Sequence, residues 1–205
     1  MKHVWKKQEK GFYGAKQIPA LVIVPMQNYI MIDGKGNPNN EDFSNKVAAL
    51  YSLAYAIKMG FKAAANNVDV SKEVHDFSVY PLEGVWKQKQ GGDLVKEELE
   101  YIIMIRQPDF ITESMVCKAM EAVKKKKPNP LYEEIRFDIM QDGKCIEILH
   151  IGSYDDEPAS FEKMAQFAEK NNLERNESCH REIYLNNANR VEKSKLKTIL
   201  RFSVK

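Results

Sequence analysis

The segment from His180 to Asn186, HREIYLN, carries the residues best suited to chemistry. A period of two puts Ile183 and Leu185 on one side of a strand, and His180, Glu182 and Tyr184 on the other. With the aliphatic side against helices, the carboxylate and the phenol face a cleft. A glutamate held there among aromatic rings serves as counter-ion to a cationic ligand, or as a general base if burial raises its pKa. A solvent-facing strand glutamate is the plain alternative. Aromatic residues are spread over nearly every element: Tyr51, Tyr55, Tyr80, Trp86, Tyr101, Tyr132, Tyr154 and Tyr184. Such rings offer flat apolar area with one polar edge, suited to planar or cationic molecules, although most belong in a core. Trp86 and Tyr184 stand out because each shares a strand with a carboxylate, Glu83 and Glu182 respectively. His150, at the end of CIEILH, titrates near neutral pH, but a lone histidine at a strand end is usually a hydrogen-bonded structural residue. Asp155, Asp156 and Glu157 precede Pro158 and read as capping and helix-dipole complement, not as a metal cluster. Gly34 and Gly36 lack the third glycine of a dinucleotide fingerprint, and no GxSxG or HExxH motif is present.

These residues need elements to position them. The run from Leu21 to Asp33 reads as one strand, or one interrupted at Pro25. Asp42 can cap a helix whose apolar positions Phe43, Val47, Leu50, Tyr51, Ala54 and Ile57 recur until Gly60 stops it. Residues 76–87 and 97–107 predict a hairpin about Gly91-Gly92. Thr112 caps a helix with the stripe Met115, Val116, Ala119, Met120 and Val123, and its last turn and end, Lys124 to Lys127, suit the exposed carbonyls there. Residues 134–140 and 144–152 predict a second hairpin about Gln141-Asp142-Gly143. Pro158 opens a helix running to about Asn171, and two strands follow. The order strand, helix, strand, strand thus occurs from 21 to 107 and again from 144 to 204. This predicts an α+β fold of two pseudo-twofold modules, with antiparallel sheets, helices on one face and a ligand cleft between the modules. Residues 1–18 are an N-terminal extension. A single domain then spans 19–205: module one to about 107, a connecting helix and strand over about 110–140, and module two from about 144.

Composition narrows the function. The 205 residues are 43% hydrophobic, enough for a core without staples. Thirty-one basic against 29 acidic residues leave +2, so no overall field draws the chain to nucleic acid or anionic membrane. The extension is too short for a DNA-reading module. Three scattered cysteines without a CxxC pair argue against a disulfide framework or zinc site and for a reducing cytoplasm. The expected partner is an aromatic small molecule, with no direct nucleic acid, membrane, metal or cofactor, and the protein is expected to be a monomer or homodimer.

Seven blocks in order, MIDGKGNPN, LYSLAYAIK, YPLEGVW, IMIRQPDF, ILHIGSYDDEP, HREIYL and KLKTILRFSV, resemble the GyrI-like small-molecule-binding family, in its stand-alone bacterial branch. The resemblance implies a pseudo-twofold fold with a cleft in which the strand glutamate, here Glu182, contacts cationic aromatic drugs. Some stand-alone members hydrolyse the strained cyclopropane of DNA-alkylating natural products; others are non-catalytic effector-binding or gyrase-modulating proteins. The candidates are therefore Glu182 and Tyr184 for catalysis, with Trp86, Tyr101, Glu83, His150 and Tyr55 for ligand binding. Two departures predict an altered aromatic pocket: Lys87 and Tyr101 stand where the branch usually has tryptophan, and Arg181 replaces the second histidine of HHEIYL.

Overall fold

The N-terminal residues carry a two-residue strand, β1 (Lys2–His3), and two single-turn helices, α1 (Trp5–Gln8) and α2 (Lys10–Tyr13). The structure, a computed structural model, describes residues 1–66, 74–87 and 95–205. Pro25, which has no backbone N–H to give a ladder, splits the first apolar run into β2 (Ala20–Val24) and β3 (Gln27–Lys35). Helix α3 (Glu41–Asn66) does not end at Gly60. A helical glycine costs about 1 kcal/mol, and here the next residue, Phe61, is anchored 4.9 Å from Phe110 and 5.8 Å from Phe77, ring centre to ring centre. Next come β4 (Asp76–Phe77), β5 (Leu82–Lys87), β6 (Glu100–Gln107) and α4 (Glu113–Lys126), the last capped by the Thr112 side chain on the Met115 N–H. The chain finishes with β7 (Arg136–Met140), β8 (Gly143–Ile151), α5 (Glu157–Lys170), β9 (His180–Tyr184) and β10 (Lys197–Ser203).

Strands β1 and β4 pair in parallel by themselves. The other eight form one antiparallel sheet in the order β2-β8-β10-β9-β5-β6-β3-β7. Strands β5 and β6 are neighbours, as a hairpin requires, although Gly91-Gly92 lies outside the described residues. The second expected hairpin is absent, because β7 pairs with β3, and β8 with β2 and β10. The registers show why. Val24 lies opposite Gly143, and three residues further on, Gln27 lies opposite Met140. The two pairs are one ladder bent at Pro25 and Asp142, so β2–β3 and β7–β8 are long strands running side by side. The ends of the strand order thereby meet, and the sheet closes on itself.

Closure gives the sheet an outer and an inner face. Helices α3 and α5 both cover the outer one: Phe43 packs on Trp86 and Tyr101, and Met164 on Ile146, Ile148 and Leu200. The inner face holds Tyr29, Met31, Val85 and Met104, together with buried charges. Arg181 donates to Glu83 (3.0 Å), Asp142 (2.7 Å) and Tyr29 (2.7 Å), while Arg201 donates to Glu147 (2.7 Å) and to the Phe12 carbonyl (3.0 Å). Charges taken this far from water persist only when paired and hydrogen-bonded.

The N-terminal segment covers this interior. Tyr13 donates to Glu83 (3.3 Å), Glu9 receives Arg106 and Tyr80, and Trp5 and Tyr13 are buried. Replacing Trp5 by Ala is expected to cost about 3–5 kcal/mol, measured by urea denaturation; a loss under about 1 kcal/mol would mean that residues 1–18 are not part of the folded unit.

Candidate functional site

The site is built where β5 and β9 run antiparallel at the middle of the sheet. Gly84 lies opposite Glu182, and Trp86 opposite His180. All four point outward, between α3 and α5. A Cβ on Gly84 would stand 2.6 Å from the Trp86 indole nitrogen and 3.4 Å from the Tyr184 hydroxyl, so only glycine admits the indole across this floor. The indole N–H donates to Tyr184 Oη (3.0 Å), and Tyr184 donates to Glu182 Oε2 (2.7 Å). His180 Nε2 lies 2.9 Å from Glu182 Oε1. Around this chain stand Phe161 of α5, edge-on to His180 at 4.7 Å, and Tyr154, edge-on to Tyr184 at 5.9 Å.

A second carboxyl completes the site. Glu157, at the first turn of α5, is 6% exposed and hydrogen-bonded to Glu182, itself 9% exposed. Burial first, and then the Glu182 charge, push the Glu157 carboxyl far above the carboxylate range, to about 9. Among the described residues no Lys or Arg forms an ion pair with either carboxylate, and Glu157 Oε1 has no partner. Two carboxyls in contact, with no Lys or Arg paired to either, hold a proton between them. Burial and Glu182 also push the Tyr184 phenol well up, so it stays a proton donor; Tyr154 rises to about 12 by the same causes.

Four of the seven expected site residues come together on this face: Glu182, Tyr184, Trp86 and Tyr101, whose ring lies 5.1 Å from Trp86. Tyr101 fills the space above Gly34, where a Cβ would fall 2.1 Å from its ring, and burial raises its phenol to about 12. The other three are elsewhere. Glu83 is correctly placed on the strand of Trp86, but residues three apart on a strand face opposite sides, and it points into the interior, bound to Arg181. His150 Nε2 donates to the Ser153 carbonyl and Nδ1 is hydrogen-bonded to the Ser160 hydroxyl, both at 2.9 Å, so the ring pins the start of α5 to β8 with both nitrogens engaged. Tyr55 is 55% exposed on α3, its ring 6.5 Å from Tyr51. Arg181 also faces inward, away from Glu182 and Tyr184, and pairs with Tyr29, Glu83 and Asp142. Glu157 was missed because an acid beside a helix-starting proline normally caps; here Ser153 caps the preceding turn, and Asp156 makes no side-chain cap.

A hollow of about 420 Å³, lined by Asp33, Val85, Lys87, Tyr101 and Ile102 among others, lies at the strand ends, and its walls include neither Glu182 nor Glu157.

Paired helices on one face of a closed sheet, with a polar floor between aromatic walls, define a small-molecule-binding domain. Residues 19–205 match the model of the GyrI-like small molecule binding domain, and the chain belongs to that family. Similar solved structures include an uncharacterized conserved protein from Listeria innocua, 33% identical, covering 99% of this chain and 100% of its own, with a TM-score of 0.88. A hydrolase from the same organism is 34% identical over the whole of both chains, with a TM-score of 0.87. The C-terminal domain of EcmrR shares the fold at 12% identity and a TM-score of 0.52, covering 91% of this chain and 96% of its own. No curated protein matches. No helix among the described residues is long and apolar enough to cross a membrane.

The raised Glu157 gives a stability prediction. Its folded pKa lies above the unfolded value of 4.5, so the folded state keeps a proton that the unfolded state has lost. The wild type therefore loses stability as pH rises from 4.5 toward 9, by at most about 1.4 kcal/mol per unit, whereas Glu157→Gln does not. Thermal melts should show the variant gaining on wild type between pH 5 and pH 8; a constant difference would mean that Glu157 ionises normally in the fold.

Proposed function

We propose that this protein binds flat, hydrophobic or cationic aromatic molecules between α3 and α5 and hydrolyses a strained electrophile there, the cyclopropane ring of a DNA-alkylating compound being the type. The observation that carries this reading is the buried Glu157–Glu182 pair on an aromatic floor, a carboxylate beside a protonated carboxyl with no Lys or Arg among the described residues paired to either. The hydrolase from Listeria innocua, similar along its whole length, supports the catalytic half.

In this mechanism Glu182 accepts a proton from water as the water oxygen bonds to the ring methylene. The carbon–carbon bond of the cyclopropane breaks, its electron pair passes into the ligand's conjugated carbonyl, and that oxygen takes a proton from solvent. Tyr184 holds Glu182 in place by donating to it, and Trp86 carries the flat ring system. Glu157, protonated, supplies the hydrogen bond that keeps the Glu182 carboxylate aimed into the cleft. Tyr184, expected from the sequence to act in catalysis, takes this positioning role because its proton is committed to Glu182.

Replacing Glu182 by Gln removes the base, and turnover of a cyclopropane-bearing alkylator should fall about 10²- to 10⁴-fold while neutral aromatic ligands still quench Trp86 fluorescence. Water-adduct formation followed by mass spectrometry checks this. Undiminished turnover by the variant would sink the chemistry; quenching without turnover by wild type would leave a binding protein.

A further inference from the structure

The carboxyl pair raises a question that the binding reading alone does not answer: how one cleft accepts both neutral and cationic rings. Resting on the proposed function, we infer that Glu157 is the specificity-determining residue, carrying a proton when the cleft is empty or holds a neutral molecule and surrendering it to solvent when an aromatic cation enters. Cations are thus taken up by exchange for one proton.

The argument is the inventory of charge around the pair. From β9, His180, Glu182 and Tyr184 face Glu157's end of the cleft, and Tyr184 and Tyr154 are both phenols held in the donor form. From the turn before α5 come Asp155 and Asp156, which add negative charge. Lys96 lies nearby but is held by Asp155 at 3.6 Å. From β8, His150 is fully engaged with Ser153 and Ser160. From β5 the polar group on this face is the Trp86 indole N–H, Glu83 and Lys87 alternating to the other side. The guanidinium next to Glu182 in sequence, on Arg181, lies behind the sheet against Glu83 and Asp142. Among the described residues His180 is the one basic group in contact with the pair, and it is already on Glu182 Oε1, so two full negative charges on this floor lack compensation. A proton supplies it until a ligand's own positive charge does. The unpartnered Glu157 Oε1 marks where that charge would sit.

The test is titration calorimetry of the whole chain with ethidium, a planar cation, and Nile red, an uncharged ring system, each in two buffers of different ionisation enthalpy. The titrations are run at pH 8. About one proton should leave per ethidium bound, none per Nile red, and ethidium affinity should rise about tenfold from pH 7 to 8 while that of Nile red stays level. Glu157→Gln, whose amide mimics the protonated acid, should release none and lose the pH dependence. Ethidium binding by wild type without proton release, or with release unchanged in Glu157→Gln, overturns the exchange and leaves the proposed function standing. So does binding of Nile red but not ethidium. Binding of neither removes both.

Discussion

Everything at the site depends on how the alternation of β9 sorts charge. Consecutive residues of a strand face opposite ways, so in His180-Arg181-Glu182 the guanidinium goes into the closed sheet and the carboxylate goes out to the cleft. Inside, Arg181 is neutralised by Glu83 and Asp142. Outside, Glu182 meets another acid. The backbone of a single strand thus separates a cation from the anion next to it in sequence, and the electrostatic deficit of the cleft follows from that separation. On β5 the outward position 84 is a glycine, and its missing side chain leaves the space through which the Trp86 indole reaches the Tyr184 hydroxyl over the floor.

The elements that repeat a clear period were legible in the sequence. Helix α3, the stripe of α4 and the common face of His180, Glu182 and Tyr184 all follow from counting, but the helices lie over that face and the aliphatic Ile183 turns into the interior, the reverse of the expected arrangement. What failed was local chemistry with more than one tertiary use. Gln141-Asp142-Gly143 has the residues of a hairpin turn, and Gly143 does take the left-handed φ of 67° that such turns use. Yet the partner strands are chosen by the long ladder with β2–β3, which no window of a dozen residues contains. Gly60 reads as a stop only until the ring contacts of Phe61 are counted. Glu83 was grouped with Trp86 by nearness along the chain, where parity decides. Glu157 was beyond reach, since the turn before α5 could equally have left it in water.

The exchange of β2 and β7 between the two ends of the sheet has a mechanical side. Each half, β3-α3-β5-β6 and β8-α5-β9-β10, receives on its outer edge the strand that leads into the other half. The halves are therefore joined at three places, through β5–β9 at the centre and through the two crossing strands, with only two residues between β2 and β3 and two between β7 and β8. A platform tied this way cannot spread like a book. The strands are therefore a stiff base, and the orientation of whatever binds between α3 and α5 is a property of the strands beneath.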